Sequence, residues 1–263
     1  MTRKPQAIRE REARPETPAA FKRPDGRSPR ALRPLKIERG VIPHAEGAVM
    51  VTMGRTKVLC TATVEERVPN FLKGSGRGWV TAEYGMLPRA TTERTPRDQQ
   101  RSGRSLEIQR LIGRSLRAVT DLGAFKERTI VMDCDVIEAD CGTRTAAING
   151  AWVALHDAFL TLSNRGVLLG PPFKDIVAAV SVGLCEGMPC LDLAYVEDSA
   201  AQVDMNVVMT AGGRYVEVQG TGESATFSDA ELRALLKLAA RGIQRIVRVQ
   251  RRVLQGSGLV PPA

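Results

Sequence analysis

A short glycine turn at 140–145 is the first stretch whose residue types and spacing could carry out chemistry. It consists of Asp-Cys-Gly-Thr-Arg-Thr and lies between an alternating apolar run at 129–136 and an Ala/Leu-rich run at 146–162. The first run predicts a strand and the second a helix. A helix that starts at this turn presents unpaired N–H groups and the positive end of its dipole, which suit an oxyanion. Arg144 adds a two-pronged donor that matches phosphate, and a plain turn with a helix cap is the alternative.

Two carboxylates, Asp198 and Asp204, form the second candidate. Asp198 lies in a link between two predicted strands, and Asp204 starts the second of them. A bend there would bring both carboxylates to one edge of a sheet, where they could hold Mg²⁺ with water completing the octahedron. Their mutual repulsion would also raise one pKa and suit that carboxyl to acid catalysis. The alternative is that Asp198 is a turn residue and Asp204 a strand-end cap.

The segment 87–97 is the most basic part of the chain and contains two prolines, which predicts an exposed loop. Its arginines are Arg89, Arg94 and Arg97. The whole chain has 38 Lys+Arg against 29 Asp+Glu, a formal charge of +9. This charge suggests a polyanionic partner, with nucleic acid first, or else a merely basic protein. An oxyanion turn, a basic loop and a carboxylate pair together indicate phosphoryl chemistry on a polyanion, and the absence of Gly-x-x-x-x-Gly-Lys-Ser/Thr disfavours a P-loop enzyme.

Composition removes several other classes of protein. The five cysteines form no Cys-x-x-Cys pair and there are only two histidines, so a zinc site, a disulfide framework and a Ser-His-Asp triad are all poorly supported. The sequence contains neither an apolar run long enough to span a bilayer nor a signal peptide. We therefore expect a cytoplasmic protein with no membrane partner.

The 263 residues are enough for one large or two small domains. Residues 1–20 are rich in Arg, Glu and Pro without an apolar period, which predicts a disordered basic extension. This extension could assist RNA contact or be dispensable. No clean linker divides the rest, so we expect one domain at 21–255 and a C-terminal tail at 256–263.

The periodicity of the remaining chain predicts mixed sheets packed with helices. Helices are expected at 102–120, at 146–162 and from Ser228, which forms a capping box with Glu231. Strands are expected at 41–42, 47–53, 56–64, 81–84, 129–136, 176–184, 190–194, 203–209 and 215–219, with 220–224 a loop. This order of elements predicts an α+β (mixed α/β) fold.

Six longer motifs share the pattern of one known family. They are RPDGR at 23–27, GWVTAEYGMLPRAT at 78–91, SGRSLEIQRLIGRSLRA at 102–118, DCDVIEADCGTRTAAING at 133–150, EDSAAQVDMNVVMT at 197–210 and VQGTGESATFS at 218–228. Across 23–254 the chain resembles the ribonuclease PH family of bacterial phosphate-dependent exoribonucleases, which trim tRNA 3′ ends. The resemblance implies the ribonuclease PH fold and a phosphorolytic 3′-to-5′ exoribonuclease acting in tRNA maturation and RNA turnover. The N-terminal extension departs from the compact family pattern.

The resemblance also implies roles for individual residues. The phosphate site would consist of Arg104, Gly142, Thr143 and Arg144. The catalytic and metal-binding pair would be Asp198 and Asp204. The RNA contacts would come from Arg89, Arg94 and Arg97. Expected partners are Mg²⁺, inorganic phosphate as co-substrate, RNA such as tRNA precursors with 3′ extensions, and five further copies of the chain in a homo-hexamer built as a trimer of dimers.

Three other functions are weaker alternatives. A non-catalytic ring subunit of the exosome type would tend to lack the phosphate arginines or the acidic pair, and this chain has both. A hydrolytic nuclease would release monophosphates and ignore added phosphate. A ribosome-assembly factor would act by binding alone.

Overall fold

The computed structural model of the protein describes residues 22–97 and 102–261. The predicted extension at 1–20 therefore lies outside the described residues. No helix within these two ranges is long and apolar enough to cross a membrane.

The first half of the chain forms a five-stranded mixed sheet. Its strands are β1 (Leu35–Arg39), β2 (Gly47–Met53), β3 (Thr56–Glu65), β4 (Trp79–Met86) and β5 (Thr129–Glu138), with a short 3₁₀ helix at Asn70–Leu72. The spatial order is β1-β2-β3-β5-β4, and only β4 and β5 are parallel. A parallel pair needs a long crossover, and helix α1 (Gly103–Val119) supplies it.

The second half forms a four-stranded antiparallel sheet. Its strands are β6 (Val177–Cys185), β7 (Met188–Leu191), β8 (Val203–Thr210) and β9 (Tyr215–Gly222), in the order β7-β6-β8-β9. The short helix α3 (Tyr195–Asp198) joins β7 to β8. The long helix α4 (Asp229–Val253) follows β9 and packs on β6 and β7.

Helix α2 (Thr143–Asn164) connects the two sheets. It packs on β2 and β3 of the first sheet and on β6 of the second, and its buried residues occur all round the helix. Small residues permit the close approach: a Cβ on Gly150 would lie 2.8 Å from Cys60 Sγ. The large side chains Trp152 and Phe159 are fully buried. One hydrophobic core therefore runs through both halves of the chain.

The predicted α+β fold of sheets packed with helices is confirmed. The predicted strand at 41–42 is wrong, because the chain bends there and the strand lies at Leu35–Arg39 instead. Gly40 ends that strand at φ +69°. β1 was missed because it is an edge strand with charged outward residues, which weakens its apolar signal.

Other segments also differ from the prediction. Helix α2 begins at the glycine turn itself and not three residues later. Strand β9 continues to Gly222, which pairs with Val203, so much of the expected loop at 220–224 is strand. In the predicted tail at 256–263, Leu259 and Val260 pack against the core.

The contact between β2 and α2 predicts a strong effect of one added methyl group. A Cβ on Gly47 would lie 2.0 Å from the carbonyl oxygen of Ala154. Gly47→Ala should therefore lower the free energy of unfolding by about 2 kcal/mol or more, because overpacking a rigid core forces the backbone to shift. Urea denaturation measures the change. Gly170→Ala is the matched control, since its Cβ would meet nothing within 4 Å, and equal effects of the two variants would contradict the prediction.

Candidate active site

A cavity of about 700 Å³ lies where the first turns of α1 and α2 meet α3, β8 and β9. Its size is ordinary for a small-molecule site. Six of the residues singled out by sequence line it: Arg104, Gly142, Thr143, Arg144, Asp198 and Asp204. The predicted phosphate residues and the predicted acidic pair, which come from different halves of the chain, therefore share one cavity.

The first turn of α2 offers its N–H groups without a competing side chain. Its N-cap is Gly142 at φ +66°, with no side-chain cap and no acidic residue in the first turn. Cys141 also has a positive φ, +60°, which is uncommon outside glycine. Two consecutive residues of this kind turn the chain sharply from β5 into α2, leaving the helix dipole open to an anion.

The first turn of α1 has a similar character. Ser102 caps it by accepting a hydrogen bond from the Ser105 N–H at 3.3 Å, and its first turn contains no acidic residue. The Arg104 side chain is exposed and has no hydrogen-bond or ion-pair partner among the described residues. Helix α4 differs, since Glu231 completes its capping box. The two helix starts at the cavity are thus the ones that lack a carboxylate.

Arg144 is oriented by a bridge between three elements. Its Nη1 donates to Gln219 Oε1 on β9 at 2.7 Å, and Gln219 Nε2 donates to Glu107 Oε1 on α1 at 3.1 Å. Glu107 Oε2 also lies 3.7 Å from Arg144 Nη1. The sequence analysis missed both partners. Glu107 could have been found, because it lies three residues after Arg104 on the same helix face, whereas Gln219 carried no signal.

Thr143 is held by a tyrosine from the first sheet. Tyr84 Oη donates to Thr143 Oγ1 at 2.7 Å inside the protein. Burial raises the pKa of Tyr84, so the phenol remains a donor at neutral pH. Because Thr143 Oγ1 accepts this bond, its own hydrogen is left to donate to an anion.

The acidic pair lies on α3 and β8. Asp204 Oδ2 accepts a long hydrogen bond from Asn206 Nδ2 at 3.5 Å, while its buried Oδ1 has no partner within the described ranges. Burial, and then the charge of Asp198, raise the pKa of Asp204 to about 6. The two carboxylates are therefore close enough to repel each other.

This donor set fits a magnesium ion. A buried oxygen without a partner and a second carboxylate nearby favour a cation, and Mg²⁺ is commonly held by one or two carboxylates together with substrate phosphates. No group of three His, Cys, Asp or Glu side chains within 22–97 and 102–261 forms a metal site. The remaining ligands would have to come from substrate and water.

A buried ion pair positions α3. Arg23 donates from Nε to Glu197 Oε1 and from Nη2 to Oε2, both at 2.5 Å. Glu197 Oε2 also accepts the Ala194 N–H at the start of α3 at 2.9 Å. Asp198 follows Glu197 directly, so this pair fixes the part of the backbone that carries the first carboxylate.

A second buried pair positions the glycine turn. Arg33 donates to Asp192 Oδ1 from Nε at 3.2 Å and from Nη2 at 2.8 Å. The same guanidinium donates to the carbonyl oxygens of Asp140 and Cys141. It thereby connects the end of β7 with the turn that starts α2. Neither Arg33 nor Arg23 was assigned a role from sequence.

The three arginines of the predicted RNA loop do not line the cavity. Arg89, Arg94 and Arg97 are exposed in the segment between β4 and α1. The loop starts beside the cavity, since Thr91 is one of the lining residues. The Ala139 N–H fixes the loop there by donating to the carbonyl oxygen of Ala90 at 2.8 Å. A strand of RNA that leaves the cavity on this side would pass the loop, and its role in RNA binding stays a prediction.

Comparisons with known proteins agree with the fold. Models of the 3′ exoribonuclease family match this chain at residues 31–161 for domain 1 and 175–242 for domain 2. Rice (Oryza sativa) Rrp46 aligns with a TM-score of 0.72 at 20% identity, over 89% of this chain and 100% of its own. A chain of the Archaeoglobus fulgidus exosome with RNA bound to its active site aligns with a TM-score of 0.72 at 19% identity, over 86% of this chain and 92% of its own. At these identities the two structures show similarity of fold.

The half-buried carboxyl of Asp204 predicts a pH-dependent stability. Because the folded-state pKa of Asp204 lies above its usual 3.8, the ionised carboxylate destabilises the fold above about pH 6, and this effect disappears as the pH falls below about 4. With chelator present, Asp204→Asn should raise the free energy of unfolding at pH 8 by about 1–2 kcal/mol, reduced from the full linkage value because the site is partly solvated. The gain should vanish near pH 4. Urea titrations at both pH values measure it, with Glu93→Gln as an exposed control; a gain that is the same at both pH values would contradict the prediction.

Proposed function

The chain belongs to the 3′ exoribonuclease family, and we propose that it shortens RNA by phosphorolysis, with inorganic phosphate as the attacking group. The observation that carries the proposal is the convergence on one cavity of two helix starts, each with an arginine and no acidic residue in its first turn, and of the acidic pair. A water nucleophile is uncharged and needs no cationic site to hold it, whereas orthophosphate is an anion and does.

The positive groups at the two helix starts would lower the electrostatic barrier to this reaction. Orthophosphate and the RNA diester are both anions, so their approach is opposed by charge. Arg104, Arg144, the Thr143 hydroxyl and the first N–H groups of α2 would hold orthophosphate and offset its charge. The bridge through Gln219 and Glu107 keeps the Arg144 guanidinium in one orientation. Positioning and charge stabilisation would supply most of the rate, as is usual for phosphoryl transfer.

Phosphorolysis would form one bond to phosphorus and break another. An oxygen of orthophosphate forms a bond to the phosphorus of the last diester, and the bond from that phosphorus to the 3′ oxygen of the preceding nucleotide breaks. The products are a nucleoside diphosphate and an RNA shorter by one residue, whose 3′ oxygen takes up a proton. One carboxyl of the pair Asp198 and Asp204 would deliver this proton. Mg²⁺ held by the same pair would neutralise charge on the scissile phosphate.

The proposed substrates are RNAs with a single-stranded 3′ end, such as tRNA precursors with 3′ extensions. Arg89, Arg94 and Arg97 would hold the RNA backbone by charge, which gives salt-dependent and largely sequence-independent affinity. Aromatic residues make up only 4% of the chain, so stacking on successive bases contributes less. A homo-hexameric ring, a trimer of dimers, is part of the proposal.

A non-catalytic ring subunit is the second candidate, because an exosome chain has this fold. The arginines at the cavity and the half-buried Asp204, whose Oδ1 has no partner among the described residues, favour the enzyme.

The central prediction concerns the product and its dependence on phosphate. The protein with Mg²⁺, inorganic phosphate and an RNA carrying a 3′ tail should release nucleoside diphosphates, and omission of phosphate should stop the release. Asp204→Asn should slow turnover by about 10²-fold or more, because the site loses acid and metal-ligand function, while RNA binding remains. Chromatography of the released nucleotides identifies them. Monophosphates formed without phosphate would indicate hydrolysis instead, and no release would favour the binding subunit.

A second prediction separates phosphate binding from RNA binding. Arg104→Gln should raise the KM for phosphate by roughly tenfold or more, since a charged hydrogen bond contributes about 1.5–3 kcal/mol, and leave the KM for RNA nearly unchanged. Steady-state kinetics in both substrates measure this. Arg110→Gln removes the same charge from an exposed position on the same helix and is the control. Equal increases in the two KM values would contradict the assignment of Arg104.

A further inference from the structure

Helix α4 carries a continuous basic face that is separate from the cavity of the candidate active site. This α4 basic face consists of Lys237, Arg241, Arg245, Arg248 and Arg252, all exposed. At about 100° per residue their positions fall within about 80° of one another, and the row is about 22 Å long. None of the five residues lines the cavity described above.

No carboxylate neutralises this face within the described residues. The helix contains no Asp or Glu from Leu232 to its end. Arg245 and Arg248 donate only to backbone carbonyls, those of Arg30 at 2.8 Å and Gln244 at 3.3 Å. Other exposed cations are paired, such as Arg67 with Glu65 at 3.0 Å. Like charges at i,i+4 destabilise a helix, so the unligated face is unfavourable and an anion along it would relieve the repulsion.

A second cavity adjoins one end of the face. It has a volume of about 450 Å³ and lies between α4, β7 and the segment before β1. Lys237, Arg241 and Arg30 supply charge at it, and its apolar walls are Pro29, Met188, Pro189, Ala234 and Leu238. A concave apolar floor beside several cations suits the base and sugar of a nucleotide whose phosphate lies on the cations.

We propose that the α4 basic face and the adjoining cavity bind the backbone of an RNA segment upstream of the 3′ end, with one unstacked nucleoside in the cavity. The proposal rests on the proposed function, because a nuclease that works on a 3′ tail must also hold the body of its substrate. An anionic membrane fits the same charges less well. Membrane-binding helices insert protruding apolar side chains, and α4, which is described throughout, exposes no large hydrophobic residue.

The test compares two variants of equal charge in the full-length protein. The face variant is Lys237→Gln, Arg241→Gln, Arg248→Gln and Arg252→Gln; Arg245 is kept because it bonds to the Arg30 carbonyl. The control variant is Lys36→Gln, Arg67→Gln, Arg165→Gln and Lys174→Gln, four exposed cations on other elements. Binding is measured by fluorescence anisotropy over a salt series, without phosphate and with chelator, using an RNA stem-loop with a 3′ tail and the short tail alone. Thermal melting confirms that both variants are folded.

The face variant should bind the stem-loop RNA at least about tenfold more weakly at physiological salt, and the slope of log K against log salt should become shallower by about 3. Its affinity for the short tail should stay within about twofold of the wild type. Unchanged stem-loop binding, an equal loss in the control variant or an equal loss for the short tail would each overturn the proposal. Loss of binding to phosphatidylserine vesicles with RNA binding intact would assign the face to a membrane.

The cavity has its own test that leaves the charge unchanged. Ala234→Phe fills the cavity from the exposed side of α4, so it should weaken stem-loop binding about threefold or more without altering the salt slope. Unchanged affinity would remove the nucleoside from the proposal. All of these measurements are made without turnover, so their outcome is independent of phosphorolysis. A wild-type protein that releases no diphosphates yet loses stem-loop binding in the face variant would refute the proposed function and support the RNA surface.

Discussion

The candidate site depends on the buried ion pair between Arg33 and Asp192. The guanidinium donates hydrogen bonds to the carboxylate and also to the carbonyl oxygens of Asp140 and Cys141. A buried pair of this kind is maintained only when its remaining hydrogen bonds are satisfied. Asp192 belongs to the second half of the chain and the glycine turn to the first, so this one contact sets the start of α2 relative to the segment that leads into α3.

The site brings groups of opposite charge into one cavity. Two helix starts with their guanidiniums and two carboxylates all line it. Both sets are electrostatically incomplete, because the first turns of α1 and α2 lack acidic residues and Asp204 Oδ1 lacks a donor among the described residues. A phosphate at the helix starts and a cation at the carboxylates would complete both. Burial amplifies these interactions, since fewer water molecules screen them.

Sequence patterns predicted the parts of the site that depend on local structure. Thr143 and Arg144 were found because a glycine turn between a strand and a helix defines a helix start. The placement of Asp198 was only partly foreseen, because α3 is four residues long, too short for a periodic signal. Gln219 was missed because its role depends on the register of β9 against β8. Register across strands is a tertiary property that one strand's sequence does not reveal.

The hydrophobic core that continues from one sheet to the other through α2 has a consequence for cooperativity. Although two family models describe the chain, both sheets pack on α2, with α1 added on the first sheet and α4 on the second, so the interiors of the two halves are continuous. Separation of the halves would expose α2 on one side and leave its buried residues in water. The chain should therefore melt in a single transition, and a core substitution in one half should weaken the other half equally.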